Sequence, residues 1–162
     1  MKIVLVLFIF LVQFAVASQT YTTARGFEFI QVSDPGFGMA WKAPDGNIWS
    51  AYQGKFPNEG TSIHSDPNSN DDEVIDSVAV KVCEAIGGKL PSMNDYRKLR
   101  EYFKNSPDYV SIFPGEGMFY WTSTTQNKSP RYMRIRPYLD AFGDLANSRK
   151  LYGVQCVKMA PL

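Results

Sequence analysis

Gly87-Gly88-Lys89-Leu90-Pro91-Ser92-Met93-Asn94-Asp95-Tyr96-Arg97-Lys98-Leu99 is the stretch that decides how the chain folds. Its two glycines stop a helix. Pro91 cannot continue one, and Ser92 with Asp95 forms an S-x-x-D capping pattern that opens the next. Tyr96, Leu99 and Phe103 then fall on one helical face, and Arg97, Lys98, Arg100 and Glu101 fall toward water. Upstream, Val74, Val78, Val82 and Ile86 recur every four residues, with Ile75 and Ala79 beside them. Asn70 stands where a cap would, and Asp71, Asp72 and Glu73 suit a helix N-terminus. The spacing predicts a first helix running from Asn70 to the glycine stop, with Cys83 on or near its apolar face.

Outward from this junction the pattern changes to strands. Phe27, Phe29 and Gln31 alternate with Glu28 and Ile30, and Asp34-Pro35-Gly36 reads as a turn. Met39-Ala40-Trp41 and Asn47-Ile48-Trp49 flank Pro44-Asp45-Gly46 as a hairpin. Residues 53–70 are polar and rich in Gly, Pro, Asn and Ser, which predicts a long loop. On the C-terminal side, Met118–Thr122, Arg131–Arg136 and Tyr152–Lys158 read as strands, with Asp140–Ser148 as a turn region. Strands, two adjacent helices, then strands make an α+β fold.

The chain has 162 residues, 17 Lys+Arg against 16 Asp+Glu, and 44% hydrophobic residues. This is globular composition and gives no footprint of a dedicated nucleic-acid binder. One His excludes two-His metal sites, and two Cys exclude a four-cysteine zinc site within one chain. No metal or cofactor is expected.

Met1-Lys2, the unbroken apolar run Ile3–Val12 and Ala15-Val16-Ala17 have the three parts of a secretory signal peptide. The run is short of the roughly 20 apolar residues of a membrane-spanning helix. The expectation is a signal peptide over 1–17 and a single domain over 18–162. The exported chain would have no membrane span and would be periplasmic, cell-surface or secreted. Removing 1–17 takes away Lys2 and leaves 16 basic and 16 acidic residues. In an oxidising compartment two cysteines pair, so Cys83 is expected to bridge to Cys156.

A Cys on a helix, then Gly87-Gly88-Lys89-Leu90-Pro91-Ser92, then Tyr120-Trp121-Thr122-Ser123-Thr124, then Val154-Gln155-Cys156-Val157 form an ordered series. Together with Gly46-Asn47-Ile48-Trp49, it resembles the secreted bacterial domains grouped with the C-terminal domain of collagen-like adhesins (the Lcl C-terminal domain family). The resemblance covers residues 39–158. Asp95 and Tyr96 depart from that family's usual Glu and Trp. The resemblance implies a C-type-lectin-like fold, in which a disulfide ties the first helix to the last strand and the chain ends pair. The Phe27–Gln31 strand is then a candidate partner for the final strand. The calcium-and-sugar motifs of animal lectins are missing: Phe56-Pro57-Asn58-Glu59 has no preceding acid, and Met93-Asn94-Asp95 has no Trp.

Among chemical candidates, Asp66-Pro67-Asn68-Ser69-Asn70 has the alternating oxygen donors of a calcium loop. Its sixth position is Asp71 rather than Gly and its twelfth is Ser77 rather than Glu, which favours a helix-capping turn. His64 lies in a polar stretch with no Ser or Cys placed to need it. Formylglycine-type oxidases share the fold but use an extra cysteine pair for copper, and both cysteines here are expected in the bridge. Trp41, Trp49 and Trp121 could stack on sugars or fill the core; Trp121 is assigned to the core because Phe119 shares its face. In Arg131–Tyr138, alternation sets Met133 and Ile135 on one face and Tyr132, Arg134, Arg136 and Tyr138 on the other. Two guanidiniums between two phenols suit sulfate, carboxylate or phosphate groups on a polymer. Arg131, Arg149 and Lys150 add charge nearby. The expected function is a non-enzymatic, exported binding or adhesion domain for an anionic glycan. The alternatives are an assembly subunit contacting an envelope or surface protein and, third, an oxidase relative.

Overall fold

A computed structural model describes residues 18–64, 72–103, 112–113, 119–126, 129–134 and 143–160. The stretch 1–17, read as a signal peptide, lies outside the described residues, as does Asp66–Asn70 of the calcium-like pattern. The described chain is mixed α+β, with two sheets, the two helices expected and one disulfide.

The first sheet begins with β1 (Thr20–Thr22), β2 (Glu28–Asp34), β3 (Gly38–Lys42) and β4 (Ile48–Trp49). The turn between β2 and β3 forms where Asp34-Pro35-Gly36 predicts it. The Asp34 carboxylate accepts the amides of Gly36 at 2.9 Å and Phe37 at 2.8 Å. The β3–β4 hairpin turns through Gly46 at φ 85, a backbone angle that glycine adopts without cost. The last strand, β12 (Val157–Lys158), closes the sheet in the order β1-β2-β3-β4-β12. Its partner is therefore β4, with Val157 opposite Trp49, and not the Phe27–Gln31 strand. Both edges of β2 are already taken, by β1 and by β3.

The second sheet holds β5 (Gly54–Phe56), β6 (Ser62–Ile63), β7 (Asp72–Val74), β8 (Phe119–Gln126), β9 (Ser129–Arg134), β10 (Gly143–Leu145) and β11 (Tyr152–Val154). Its main order is β10-β9-β8-β11-β5, and β7 joins β6 to β8. Three expectations change here. The polar stretch 53–70 contains two short strands, and the turn region Asp140–Ser148 contains β10. Tyr152–Lys158 is two strands, one in each sheet, because the chain crosses between sheets at Gln155-Cys156. The crossing leaves few unsatisfied groups. Ser50 N donates to Cys156 O at 2.9 Å, and Cys156 N donates to Ser50 Oγ at 2.9 Å. Gln155 Nε2 reaches Ser50 O at 3.1 Å.

The helices are α1 (Val78–Ala85) and α2 (Met93–Phe103). α1 starts later than Asn70: Asp72–Val74 pairs with β8, and the cap is Ser77, whose hydroxyl accepts from Val80 N at 3.1 Å. Its buried residues are Ala79, Val80 and Cys83, while Val78 is exposed. Gly87, at φ 74, ends it as the glycine pair predicts. α2 opens on a reciprocal cap. Ser92 N donates to Asp95 Oδ2 at 2.8 Å, and Asp95 N donates to Ser92 Oγ at 3.1 Å. Tyr96, Leu99 and Phe103 are buried, as their spacing requires.

Each helix covers one face of the first sheet. On one face Phe29 meets Phe103 with ring centroids 4.7 Å apart, and Trp49 meets Tyr96 at 5.5 Å. On the other, Ala40 joins Val80, Cys83 and Trp121 in a second cluster. Successive residues of β8 serve both: Tyr120 enters the first cluster and Trp121 the second. Burial pushes the Tyr120 phenol up to about 12, with the nearby Tyr52 adding to the shift. The Cys83–Cys156 bridge lies in the second cluster, both residues fully buried, and pins α1 to the crossing point.

A corner of this packing responds to acid. The Lys158 ammonium, which lies 4.5 Å from the Phe37 ring centre, also contacts the Asp34 carboxylate. That hydrogen bond chiefly, with the two turn amides, holds the Asp34 pKa below its ordinary value against the opposing effect of burial. A carboxylate with a lowered folded pKa stabilises the fold above its unfolded pKa of about 3.9, and this is lost as pH falls through the folded value. Asp34→Asn should therefore flatten the acid limb of a thermal-stability profile between about pH 5 and pH 2. An acid limb identical to wild type would show that the contact contributes nothing.

Candidate functional site

β8 has a register shift between Trp121 and Thr125. A bulge frees backbone groups from the ladder, and here two of them and one side chain bond outside the sheet. Ser123 N donates to Pro91 O at 2.9 Å, and Thr124 Oγ1 accepts Met93 N, a first-turn amide of α2, at 2.9 Å. Thr122 O accepts Asn58 Nδ2 at 3.0 Å. The Leu90-Pro91-Ser92 and Tyr120–Thr124 segments are thus one physical unit. The bulge sets the start of α2, and α2 covers the Tyr120 side of the strand.

β9 follows β8 in antiparallel register. Tyr132 lies opposite Trp121, Met133 opposite Tyr120 and Arg134 opposite Phe119. On its other edge Tyr132 pairs with Asp144 and Met133 with Gly143. The proposed ligand residues Tyr132 and Arg134 therefore stand at alternate positions of a strand flanked on both sides. Arg136 and Tyr138 lie outside the described residues. Arg149 forms an exposed ion pair with Glu59 at 3.3 Å, and Lys150 is exposed.

The tryptophans divide. Trp121 is fully buried against Tyr152, centroids 4.7 Å apart, and its Nε1 donates to Phe56 O at 2.6 Å. Phe119 rests on the same Tyr152 ring at 5.1 Å, so the shared face assigned to Phe119 and Trp121 holds. Trp49 is core. Trp41 is half-buried and packs against the first cluster, so part of its surface stays open.

The structure also contains a groove that the sequence reading missed. α1 has eight residues and spans about 12 Å, whereas the seven residues of β2 extend about 23 Å. α1 therefore covers only one end of its sheet face. At the uncovered end Glu28 and Ile30 of β2, Lys42 of β3 and the Pro44-Asp45-Gly46 turn enclose an open groove of about 660 Å³. Phe27 closes one end, its ring 5.0 Å from Tyr102 and overlain by Arg25 at 5.5 Å. Asp45 is fixed in the wall: it accepts Asn47 N at 3.1 Å and Asn47 Nδ2 at 3.0 Å. Partial burial, then the Asp45 charge and a hydrogen bond to it, raise the Tyr102 pKa. The alternation of buried Phe29 with exposed Glu28 and Ile30 was the available signal; the shortness of α1 was not.

No family model, curated protein or solved structure matches this chain.

The remaining candidates have structural surroundings. His64 Nδ1 lies 3.1 Å from Asp72 Oδ1, an exposed pair joining the ends of β6 and β7. Both cysteines are held in the bridge. Among the described residues, no group of three or more His, Cys, Asp or Glu could hold a metal ion, and no helix is long and apolar enough to cross a membrane. Asn58, read in sequence only as part of an incomplete sugar-binding motif, is fully buried and acts as a clamp. It accepts Ser77 Oγ at 2.5 Å while donating to Thr122 O.

Proposed function

We propose that this protein is an exported, non-enzymatic binding domain of C-type-lectin-like architecture whose ligand is an anionic polymer such as a sulfated glycan. The observation that carries the reading is the buried Cys83–Cys156 bridge, which ties α1 to the segment entering the last strand. A structural disulfide of this kind belongs to an oxidising compartment, consistent with the leader-like Ile3–Val12 and Ala15-Val16-Ala17. The same tie between first helix and last strand is what the adhesin resemblance implies. The contacts of Ser123 with Pro91 and of Thr124 with Met93 give a physical reason for that resemblance's motifs to occur together.

In this reading Arg134 and Arg136 take the anionic groups, flanked by Tyr132 and Tyr138. Guanidinium pairs anions through two parallel hydrogen bonds, which a phenol hydroxyl can supplement. An oxidase role is disfavoured by chemistry: the copper-binding cysteine pair would have to come from two sulfurs already joined to each other.

A second reading, an assembly subunit that binds a protein of the envelope or surface, draws on one observation. Ile63 and Ile75 are exposed on the β6–β7 arm, with Val78 exposed at the start of α1. A glycan array set against pull-down from native envelope separates the two readings. Binding concentrated on sulfated or uronic-acid glycans supports the first. Capture of a single protein with no glycan signal supports the second and rejects the first.

A further inference from the structure

Among the described Lys and Arg residues, only Arg25, Lys89, Arg149 and Lys150 lie outside helices and strands. The Arg25 guanidinium is occupied by Glu101 and the Phe27 ring. Lys89 is exposed, but its backbone bonds to Val157 in both directions, at 2.9 and 3.0 Å. Arg149 and Lys150 stand together in the turn between β10 and β11, followed by Leu151, which is 60% exposed. The Arg149 side chain is 79% exposed and has only the surface pair with Glu59, and no ion pair engages Lys150 among the described residues. The turn backbone is tied by Arg149 N to Asn147 Oδ1 at 3.0 Å, Lys150 N to Asn147 O at 3.0 Å and Asn58 N to Ser148 O at 2.8 Å. All of these ties precede the Lys150–Leu151 peptide bond. Among the described residues, no turn or loop hydrogen bond involves the Lys150 carbonyl or the Leu151 amide.

A protease must draw the chain around the scissile bond into its own cleft, so it cuts exposed turns in preference to paired strands. Trypsin-like enzymes also require a basic side chain that can enter an acidic pocket. The turn at 147–151 meets both conditions. Hydrolysis at Lys150–Leu151 breaks the peptide C–N bond, adds one water, and leaves a carboxylate on Lys150 and an ammonium on Leu151. Both residues are exposed, so neither new charge is buried. The piece beyond the cut keeps its attachments. β11 lies between β8 and β5, β12 lies beside β4, and Val154, Cys156 and Val157 are fully buried. Cys156 also ties that piece covalently to α1.

We propose that the turn at 147–151 is a processing site for trypsin-like endoproteases, and that the Cys83–Cys156 bridge makes the product a two-chain protein and not a truncated one. The test is limited digestion of the oxidised protein with trypsin, followed by intact mass with and without reductant. The first product should be the undigested chain plus one water. Reduction should then release the C-terminal fragment that begins at Leu151, or at Lys150 where the cut follows Arg149. The cut protein should still unfold in a single thermal transition before reduction. The Arg149→Gln, Lys150→Gln double variant should lose this cut with unchanged thermal unfolding, since both side chains are exposed. First cuts elsewhere with the turn intact, or equal digestion of wild type and variant, would overturn the proposal. So would release of the fragment, or loss of the folded state, before reductant is added. None of these readouts involves a ligand, so failure here leaves the sulfated-polymer reading of β9 intact.

Discussion

Protein lacking the bridge, with Cys83 and Cys156 both replaced by Ala, should lose about 4 kcal/mol of stability. The bridge joins residues 73 apart in sequence, and the chain-entropy cost of closing such a loop falls on the unfolded state. Native bridges in small secreted domains are generally worth about 2–5 kcal/mol. Placement adds to the expectation. The bridge sits where the chain passes from β11 to β12, and the alternative ties at the crossing are the hydrogen bonds of Cys156 and Gln155 to Ser50. Each of these contributes a net of about 1 kcal/mol, so together they do not replace a covalent link. Chemical denaturation of oxidised wild type and the double variant measures the difference. A loss below about 1 kcal/mol would mean the crossing is held by packing alone.

Asn58→Ala should cost about 3 kcal/mol or more, whereas Glu59→Gln beside it should cost almost nothing. Asn58 is fully buried, and its amide serves Ser77 Oγ on one side and Thr122 O on the other. Removing it takes away the acceptor of Ser77 Oγ at the α1 cap and the Asn58 donor to Thr122 O in the β8 bulge. Each buried orphan costs about 1–3 kcal/mol. Glu59 pairs with Arg149 at the surface, with side chains 60% and 79% exposed. Exposed pairs are worth about 0–1 kcal/mol. Equal losses for the two variants in urea unfolding would show that the Asn58 network is not holding α1 to β8.

The parts of the fold that could be read from sequence were those set by local chemistry. α2 was legible because its cap, its apolar face and its preceding proline all agree within a dozen residues. The bridge was legible because a chain with two cysteines has only one intramolecular pairing to offer. The start of α1 was not. Val74 fits a four-residue spacing with Val78, Val82 and Ile86, but Asp72–Val74 finds a strand partner in β8, a contact about fifty residues away. A three-residue strand is too short to show its own period, so tertiary pairing decided it. Tyr152–Lys158 alternates like one strand, and only its neighbours split it between two sheets. Of the candidate site, the alternation of Tyr132 with Arg134 was legible because it needs only the strand period. The groove was hidden because it is made by what α1 fails to cover.

In the function proposed, the β9 segment binds an anionic polymer. The chain carries 17 basic and 16 acidic residues, so attraction must come from a local patch and not from net charge. Exposed charges are screened beyond about 8 Å at physiological ionic strength. The decisive measurement is affinity for a sulfated oligosaccharide, by wild type and by the Arg134→Ala, Arg136→Ala double variant, each at low and at physiological salt. Thermal unfolding of both proteins serves as the check on folding. Wild-type binding should weaken sharply as salt rises, and the folded double variant should not bind at either salt. Equal affinities in all four conditions would contradict it and leave the protein-partner reading in its place.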